Sequence, residues 1–139
     1  MRLKVATLDQ ITLIANHLGV WMSEDTVGLA TVDSDDSLVG MVILQDFLPN
    51  SALAHIWTRH PIALRCGLFE GATDYVFNTA GCGKLRARLI ATNTRAQRYI
   101  RRKGFVATHV DVDGYAVGVD LLHFELTKEV WSGYRRRCS

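Results

Sequence analysis

The segment NTRAQRYIRRKGF, from Asn93 to Phe105, predicts a helix with a defined beginning and a defined end. Asn93 can accept a hydrogen bond from the free amides of the first helical turn, and Gly104 can adopt the left-handed conformation that ends the last one. Its four arginines leave one apolar face, which contains Ala96, Tyr99 and Ile100. We therefore expect a helix that packs on the protein core and keeps a cationic outer side.

Length and composition indicate a single domain. The chain has 139 residues, of which 48% are hydrophobic, enough for one well-filled core but not for two ordinary domains. The formal charge is only +2, although basic residues are concentrated from Lys84 onward. We expect one folded domain over residues 1–131, followed by a loose basic tail at 132–139.

The cysteines and the apolar runs indicate in which cellular compartment the protein is expected. Cys66, Cys82 and Cys138 are odd in number and lack paired spacing, so neither a disulfide framework nor a metal site is expected. No apolar run approaches the length that crosses a membrane, and the first ten residues do not resemble a signal peptide. The sequence predicts a cytoplasmic protein without a membrane partner.

Apolar patterning predicts an α/β (α+β) fold with a mixed, mostly antiparallel sheet of about six to seven strands, flanked by helices. The strands are expected at 3–6, 27–32, 38–48, 52–59, 85–89, 105–112 and 117–126, and the helices at 7–19, 64–80 and 93–103. Thr7 and Gln10 have the spacing of a capping box. The segment DVDGY, 111–115, is expected to turn between the last two strands.

The spacing of Asn93, Ala96 and the Gly104–Phe105 pair resembles the fourth helix of GNAT-superfamily N-acetyltransferases. The wider stretch 74–105, DYVFNTAGCGKLRARLIATNTRAQRYIRRKGF, and the ending VDLLHFELTKEVW resemble the small, phage-type branch of that superfamily. The resemblance covers roughly residues 38–131. It implies a GNAT-like domain that transfers an acetyl group from acetyl-CoA to an amine on a protein or a small molecule.

The resemblance also implies where acetyl-CoA binds. In the family the fourth strand separates from the fifth and its free backbone groups receive pantetheine, which corresponds here to 55–59. The pyrophosphate lies at the start of the next helix. The implied cofactor-binding residues are Ile56, Trp57, Thr58, Arg59, Leu64, Arg65, Cys66, Gly67, Asn93 and Arg98. The sequence departs from the family where Ile62 and Leu64 replace small residues of the phosphate-binding motif.

Two residues are candidates for catalysis. His55 lies in the strand beside the expected thioester and titrates near neutral pH, so it is the first candidate for the general base, and Asp46 is the second. A buried histidine packed on Trp57 is the structural alternative. The position of the family's tyrosine acid is Ile100, and Tyr99 points about 100° away around the helix, so it is expected to pack.

Three other functions stay open at this point. A catalytically silent GNAT relative could bind a protein, and the Arg-rich segments are compatible with a nucleic-acid-binding module. The charge of +2 and the lack of interleaved aromatic and basic residues argue against nucleic acid. Cys66 and His60 could form a thiol hydrolase. The sequence does not identify the acceptor, and it is compatible with a homodimer.

Overall fold

A single seven-stranded sheet organises the computed structural model, which describes the backbone of residues 1–138 and the side chains of residues 1–133. The sheet order is β1-β2-β3-β4-β5-β7-β6, and every neighbouring pair is antiparallel except β4 and β5. The strands are β1 Arg2–Val5, β2 Val27–Val32, β3 Leu38–Leu48, β4 Ser51–Thr58, β5 Lys84–Ile90, β6 Val106–Ala116 and β7 Val119–Thr127. The α-helices are α1 Leu8–Leu18, α2 Leu68–Asp74, α3 Thr94–Arg102 and α4 Lys128–Cys138. The predicted mixed sheet and single domain are confirmed.

Helix α1 covers one face of β1–β3. Thr7 and Gln10 form the predicted capping box, and Gly19 ends the helix with φ +70°. The buried side chains Ile11, Ile14 and Ala15 of α1 share a cluster with Ala30, Met41 and Ile43 of the sheet. Between α1 and β2 the segment 20–25 contains one turn and no helix. The chain therefore reaches β2 without a second helix.

Helices α2, α3 and α4 cover the opposite face of the sheet. Leu85 and Ala87 of β5 alternate with Arg86 and Arg88, and only the first pair lies in this core. Asn93 accepts a hydrogen bond from the Ala96 amide at 3.2 Å and so begins α3 as expected. The face of α3 that was expected to be apolar buries Ile100, and Phe105 beyond Gly104 joins the same cluster. This cluster contains residues of both β5 and α3, so it joins the strand to the helix.

The helix expected at 64–80 is divided into three pieces, so its predicted boundaries are wrong. A 3₁₀ helix runs from Pro61 to Cys66, α2 follows, and a π-helical segment spans Tyr75–Thr79. Gly67 has φ +84°, outside the helical region, and therefore separates the first two pieces. The first of these helical pieces begins at Pro61, because the fixed φ of proline suits the first position of a helix.

The turn predicted at 111–115 is also misplaced. These residues belong to β6, and the hairpin turns instead at Val117 and Gly118, where glycine supplies φ +81°. Asp113 accepts a hydrogen bond from the Gly118 amide at 2.8 Å, while Asp120 accepts from the Asp113 amide at 3.0 Å. The acidic residues thus stabilise an irregular stretch of β6 rather than the turn itself.

The end of the chain differs from the loose tail expected at 132–139. The backbone is helical through Cys138, and Ser139 lies outside the described residues. Trp131 of α4 is buried and donates a hydrogen bond from Nε1 to Thr73 Oγ1 at 3.0 Å, which ties α4 to α2. Among residues 1–138, no helix is both long and apolar enough to cross a lipid bilayer.

Candidate active site

The two parallel strands at the centre of the sheet separate halfway along their length. β4 and β5 pair from Ser51 with Lys84 to Ala54 with Ala87, and no further. Beyond that point β4 stays paired with β3 up to Thr58, and β5 stays paired with β7 up to Ile90. Each strand therefore has one unpaired edge from His55 or Arg88 onward. This opening lies where the sequence predicts it.

A cleft of about 1550 Å³ occupies the opening. One wall is β4, a second is the 3₁₀ helix with α3, and the loop 18–23 closes one end. Of the residues expected to bind the cofactor, eight line this cleft, namely Ile56, Trp57, Thr58, Arg59, Leu64, Arg65, Asn93 and Arg98. Both candidate catalytic residues, His55 and Asp46, line it as well. The fold thus brings together residues from four separate segments of the sequence.

Cys66 and Gly67 are outside the residues that line the cleft, contrary to the sequence-based expectation. A Cβ atom placed on Gly67 would meet Leu3 Cδ1 at 3.5 Å, so this residue lies beside β1. Gly67 ends the 3₁₀ helix with φ +84°, which changes the direction of the chain before α2 begins. Two backbone amides at the start of the 3₁₀ helix have acceptors within the protein. Ile62 N–H donates to His60 Nδ1 at 3.2 Å, and Ala63 N–H donates to the His60 carbonyl at 3.0 Å.

Positive charge predominates among the side chains around the cleft. Its basic residues are Arg59, Arg65, Arg88, Arg95, Arg98, Arg102 and Lys103, and its acidic residues are Asp46 and Glu70. Two of the cations are engaged within the protein, since Arg59 pairs with Asp33 at 3.3 Å and Lys103 with Glu70 at 3.3 Å. An anionic ligand would therefore meet the exposed arginines of α3 together with Arg65 and Arg88.

His55 is held neutral by its surroundings. Gln45 accepts hydrogen bonds at Oε1 from Thr26 Oγ1 at 3.1 Å and from the Ser23 amide at 3.4 Å. Its amide nitrogen therefore faces the ring and donates to His55 Nε2 at 3.1 Å, which leaves the imidazole proton on Nδ1. Burial lowers the pKa of His55 below 6.5, Arg88 lowers it further, and Asp46 partly opposes them. A neutral imidazole is the form that can accept a proton.

Asp46 lies beside this histidine on an irregular part of β3. The register between β3 and β4 shifts between Gln45 and Leu48, and Asp46 has φ +53°. Its backbone N–H donates to Ser23 Oγ at 3.4 Å, and the Asp46 side chain is exposed. The bulge carries the carboxylate to the cleft.

No family model and no curated protein matches the sequence. Among solved structures, the spermidine/spermine N-acetyltransferase SpeG from Vibrio cholerae, in complex with manganese ions, has a TM-score of 0.77 at 17% identity, covering 99% of this chain and 96% of that one. Nourseothricin acetyltransferase has a TM-score of 0.65 at 22% identity, covering 75% and 66%. A dodecameric spermidine N-acetyltransferase from Vibrio cholerae gives 0.72 at 18% identity, covering 99% and 97%. The chain has the GNAT fold.

The sequence resemblance implies that the position of the family's tyrosine acid is residue 100, in α3. The residue at that position, Ile100, is buried, with 2% of its surface exposed. Tyr99 lies partly buried beside it, with its ring edge-to-face on Phe69 at 6.1 Å and Lys103 Nζ at 5.5 Å. Tyr99 packs, as the sequence analysis expected, although it also forms part of the cleft wall.

Some residues of the cleft were missed by the sequence analysis. Gln45 orients His55, Tyr115 reaches the cleft from β6, and Trp21 and Met22 reach it from the loop after α1. Only Gln45 carries a signal in the sequence, because it is a polar residue, followed by Asp46, in an otherwise apolar central strand. Trp21 and Met22 lie in a loop that no periodic pattern describes, and Tyr115 lies in the irregular stretch of β6.

The thiol hydrolase alternative finds no support in the site geometry. His60 Nδ1 accepts from the Ile62 amide, and Cys66 Sγ lies 4.0 Å from the Ile62 carbonyl oxygen. No hydrogen bond among the described side chains joins Cys66 to His60. A cysteine nucleophile requires a base within hydrogen-bond reach.

Proposed function

We propose that the protein is an acetyl-CoA-dependent N-acetyltransferase. The observation that carries the proposal is the separation of β4 from β5 after Ala54 and Ala87, which leaves an unpaired strand edge in a cationic cleft. An extended, amide-containing pantetheine arm can pair with the backbone at 55–59 as an added strand would. Arg65 and Arg98 lie on the same cleft and attract the phosphates.

The reaction is a direct attack of an amine on the thioester. Neutral His55 takes a proton from the acceptor ammonium, and Asp46 stabilises the imidazolium that results. The amine nitrogen then bonds to the acyl carbon, and a backbone N–H near Ile56 or Trp57 stabilises the oxyanion. The carbon–sulfur bond breaks, the nitrogen releases its second proton to solvent, and the thiolate takes a proton from solvent because Ile100 supplies none. His55 then returns its proton to solvent. The free thiols of Cys66 and Cys82 agree with a cytoplasmic enzyme.

Thermal unfolding with and without acetyl-CoA tests this proposal. A ligand at 100 times its dissociation constant stabilises the folded state by about 2.7 kcal/mol, which raises the melting temperature by several degrees. ATP at the same concentration controls for unspecific binding of phosphates to the arginines. No shift with millimolar acetyl-CoA, or an equal shift with ATP, contradicts the proposal.

A second measurement separates an enzyme from a silent relative. Release of free thiol from acetyl-CoA is followed with a panel of amines, and an active enzyme shows release that depends on the amine. Binding of acetyl-CoA without turnover of any amine identifies a silent relative. Salt-sensitive binding of RNA or DNA, without a response to acetyl-CoA, identifies a nucleic-acid-binding module.

A further inference from the structure

A second pocket, of about 300 Å³, lies beside the cleft. Side chains alternate along β5, so Arg86 and Arg88 point away from the core that contains Leu85 and Ala87. The pocket lies on this polar face of the sheet, and its wall includes Arg86, Arg88, Thr108, His109, His123 and Glu125. Asp46, Ala87 and Arg88 line both the pocket and the cleft. The two spaces are therefore neighbours.

The strand register concentrates donors in this pocket. Arg88 of β5 lies directly opposite His123 of β7, and Arg86 lies opposite Glu125. On the other side of β7, His109 faces His123 with the ring centroids 5.5 Å apart. Lys84 already pairs with the Glu125 carboxylate at 3.4 Å. With Glu125 paired to Lys84, Asp46 is the other acidic residue on the pocket wall, and it stands against two arginines.

Two buried donor or acceptor atoms in the pocket have no partner. Arg86 Nε and His123 Nε2 are buried and make no hydrogen bond to any described residue. Buried polar atoms are nearly always hydrogen-bonded in folded proteins, and each exception requires an explanation. Here the two atoms belong to neighbouring strands and line the same pocket. A ligand with acceptor oxygens would satisfy Arg86 Nε, and it would satisfy His123 Nε2 in the tautomer that carries its proton on that nitrogen.

We propose that this pocket binds the anionic group, a carboxylate or a phosphate, of the amine that is acetylated. The inference rests on the proposed N-acetyltransferase function and names its acceptor class, an anionic amine. Arg88 is also the charge that lowers the pKa of His55, so it lies close enough to both sites to join them. An acceptor anchored by its anion at Arg86 and His123 therefore directs its amine towards the base.

The charge of the pocket argues against a polyamine acceptor. The similar Vibrio cholerae structures are spermidine N-acetyltransferases, and spermidine is a cation. In this chain a cation at the pocket would meet Arg86 and Arg88, with Glu125 already paired to Lys84 and Asp46 as the other carboxylate. Like charges at this range disfavour binding. The two proteins share a fold and, in our proposal, differ in acceptor charge.

Matched pairs of amines test the acceptor class. Thiol release is measured with alanine and alaninamide, with phosphoethanolamine and ethanolamine, and with spermidine. We expect the anionic member of at least one pair to be the better substrate. Arg86→Gln should raise KM for that substrate roughly ten- to a hundredfold, because a hydrogen bond to a charged group is lost. The KM for acetyl-CoA should stay unchanged.

The controls keep this test separate from folding and from the proposed function. Arg2→Gln replaces an exposed arginine of β1 and should change neither KM. If Arg86→Gln lowers the melting temperature, His123→Asn gives a second test of the pocket. Preference for spermidine with no effect of either pocket variant overturns the inference and leaves the transferase intact.

A binding measurement distinguishes the opposite failure. In the absence of acetyl-CoA, inorganic phosphate and glutamate are titrated while the imidazole resonances of His123 are followed by NMR. We expect a saturable shift in the wild type that Arg86→Gln abolishes. This result without any acetyl transfer would support the pocket and contradict the transferase proposal. A shift that Arg86→Gln leaves unchanged would show that the pocket does not hold the anion.

Discussion

Among single residues, His55 has two features that oppose the uptake of a proton by its ring. Burial and Arg88 keep its pKa below 6.5, and the Gln45 amide donates to the lone pair that a base would use. Uptake of a proton at Nε2 therefore displaces the Gln45 hydrogen. Asp46, the one group that raises this pKa, lies on the cleft where the acceptor amine arrives. The His55 ring is therefore neutral before substrate binds, and the approaching substrate must displace the Gln45 hydrogen bond before Nε2 takes up a proton.

Replacing His55 tests its role as the base. His55→Gln should lower kcat about 10²- to 10⁴-fold, which is the usual contribution of a general base. In the wild type, kcat/KM should fall on the acidic side only below pH 6.5, because the lowered pKa keeps the imidazole neutral above it. The variant should lack this acidic limb. The pH profile of kcat/KM provides the measurement.

The same histidine links stability to pH. In the unfolded chain this histidine binds a proton near pH 6.5, and in the folded chain only at lower pH. The free energy of unfolding should therefore keep its full value above pH 6.5 and decrease below it.

Gln45→Glu is the matched control for the pH profile of kcat/KM, since its carboxylate keeps both accepted hydrogen bonds and favours the imidazolium. It should raise the pKa of His55 and move the acidic limb to higher pH. A profile that neither variant alters would exclude His55 as the base.

At the scale of elements, the first turn of α3 combines a structural and a binding role at Asn93. Asn93→Ala should cost about 1 kcal/mol of stability, because the Ala96 amide loses its acceptor. Asn93→Ser keeps an oxygen for the cap but removes the amide donor that faces the cleft. If Asn93 contacts acetyl-CoA, the serine variant keeps stability and loses affinity. Calorimetric titration with acetyl-CoA, beside denaturant unfolding, separates the two roles, and unchanged affinity would leave only the cap.

The end of α3 depends on Gly104. This residue has φ +102°, and an added Cβ would lie 2.8 Å from Val130 Cγ1 and 3.2 Å from Leu126 Cδ1. Gly104→Ala should therefore destabilise the protein by about 2–3 kcal/mol, through backbone strain and displacement of α4. Gly19→Ala is the matched control, since Gly19 also has positive φ but no atom within 4 Å of its Cβ position. Equal losses in urea unfolding would show that the contact with α4 contributes nothing.

At this scale, the features that the sequence predicts correctly are those fixed by short-range interactions along the chain. Caps such as Thr7, Asn93 and Gly104 are set by neighbours within four residues, and they lie where the pattern predicts them. The break at Gly67 and the turn at Gly118 were missed, because a glycine is compatible with a helix, a bulge or a turn. Packing against distant strands decides among these conformations.

At the scale of the whole molecule, the two halves of the site differ in how they could be found. The cleft follows from the order of elements, so a resemblance in one helix was enough to locate the opening at His55. The polar pocket depends on which residues of β5 face which residues of β7, and no local pattern fixes that register. The strand at 85–89 was predicted, whereas the pairing of Arg88 with His123 between β5 and β7 was not.

The last prediction concerns where the folded unit ends. Trp131 joins α4 to the core, since its ring centroid lies 4.9 Å from that of Phe77 and its Nε1 donates to buried Thr73. Trp131→Ala should lower the free energy of unfolding by about 3–5 kcal/mol, as expected for a large buried aromatic residue. Trp131→Phe keeps the ring contact and loses the hydrogen bond, so its cost should be smaller, although Thr73 Oγ1 then loses a buried donor.

A truncation completes this test of the domain boundary. Ending the chain after Gly133 removes the basic segment and keeps Trp131. If residues 1–131 form the folded unit, the free energy of unfolding should change by less than about 1 kcal/mol, because chain ends beyond the core contribute little. Urea denaturation of the truncated chain beside Trp131→Phe measures both. A loss as large as that of Trp131→Ala would show that α4 beyond Gly133 belongs to the folded unit, and the boundary at 131 would then be wrong.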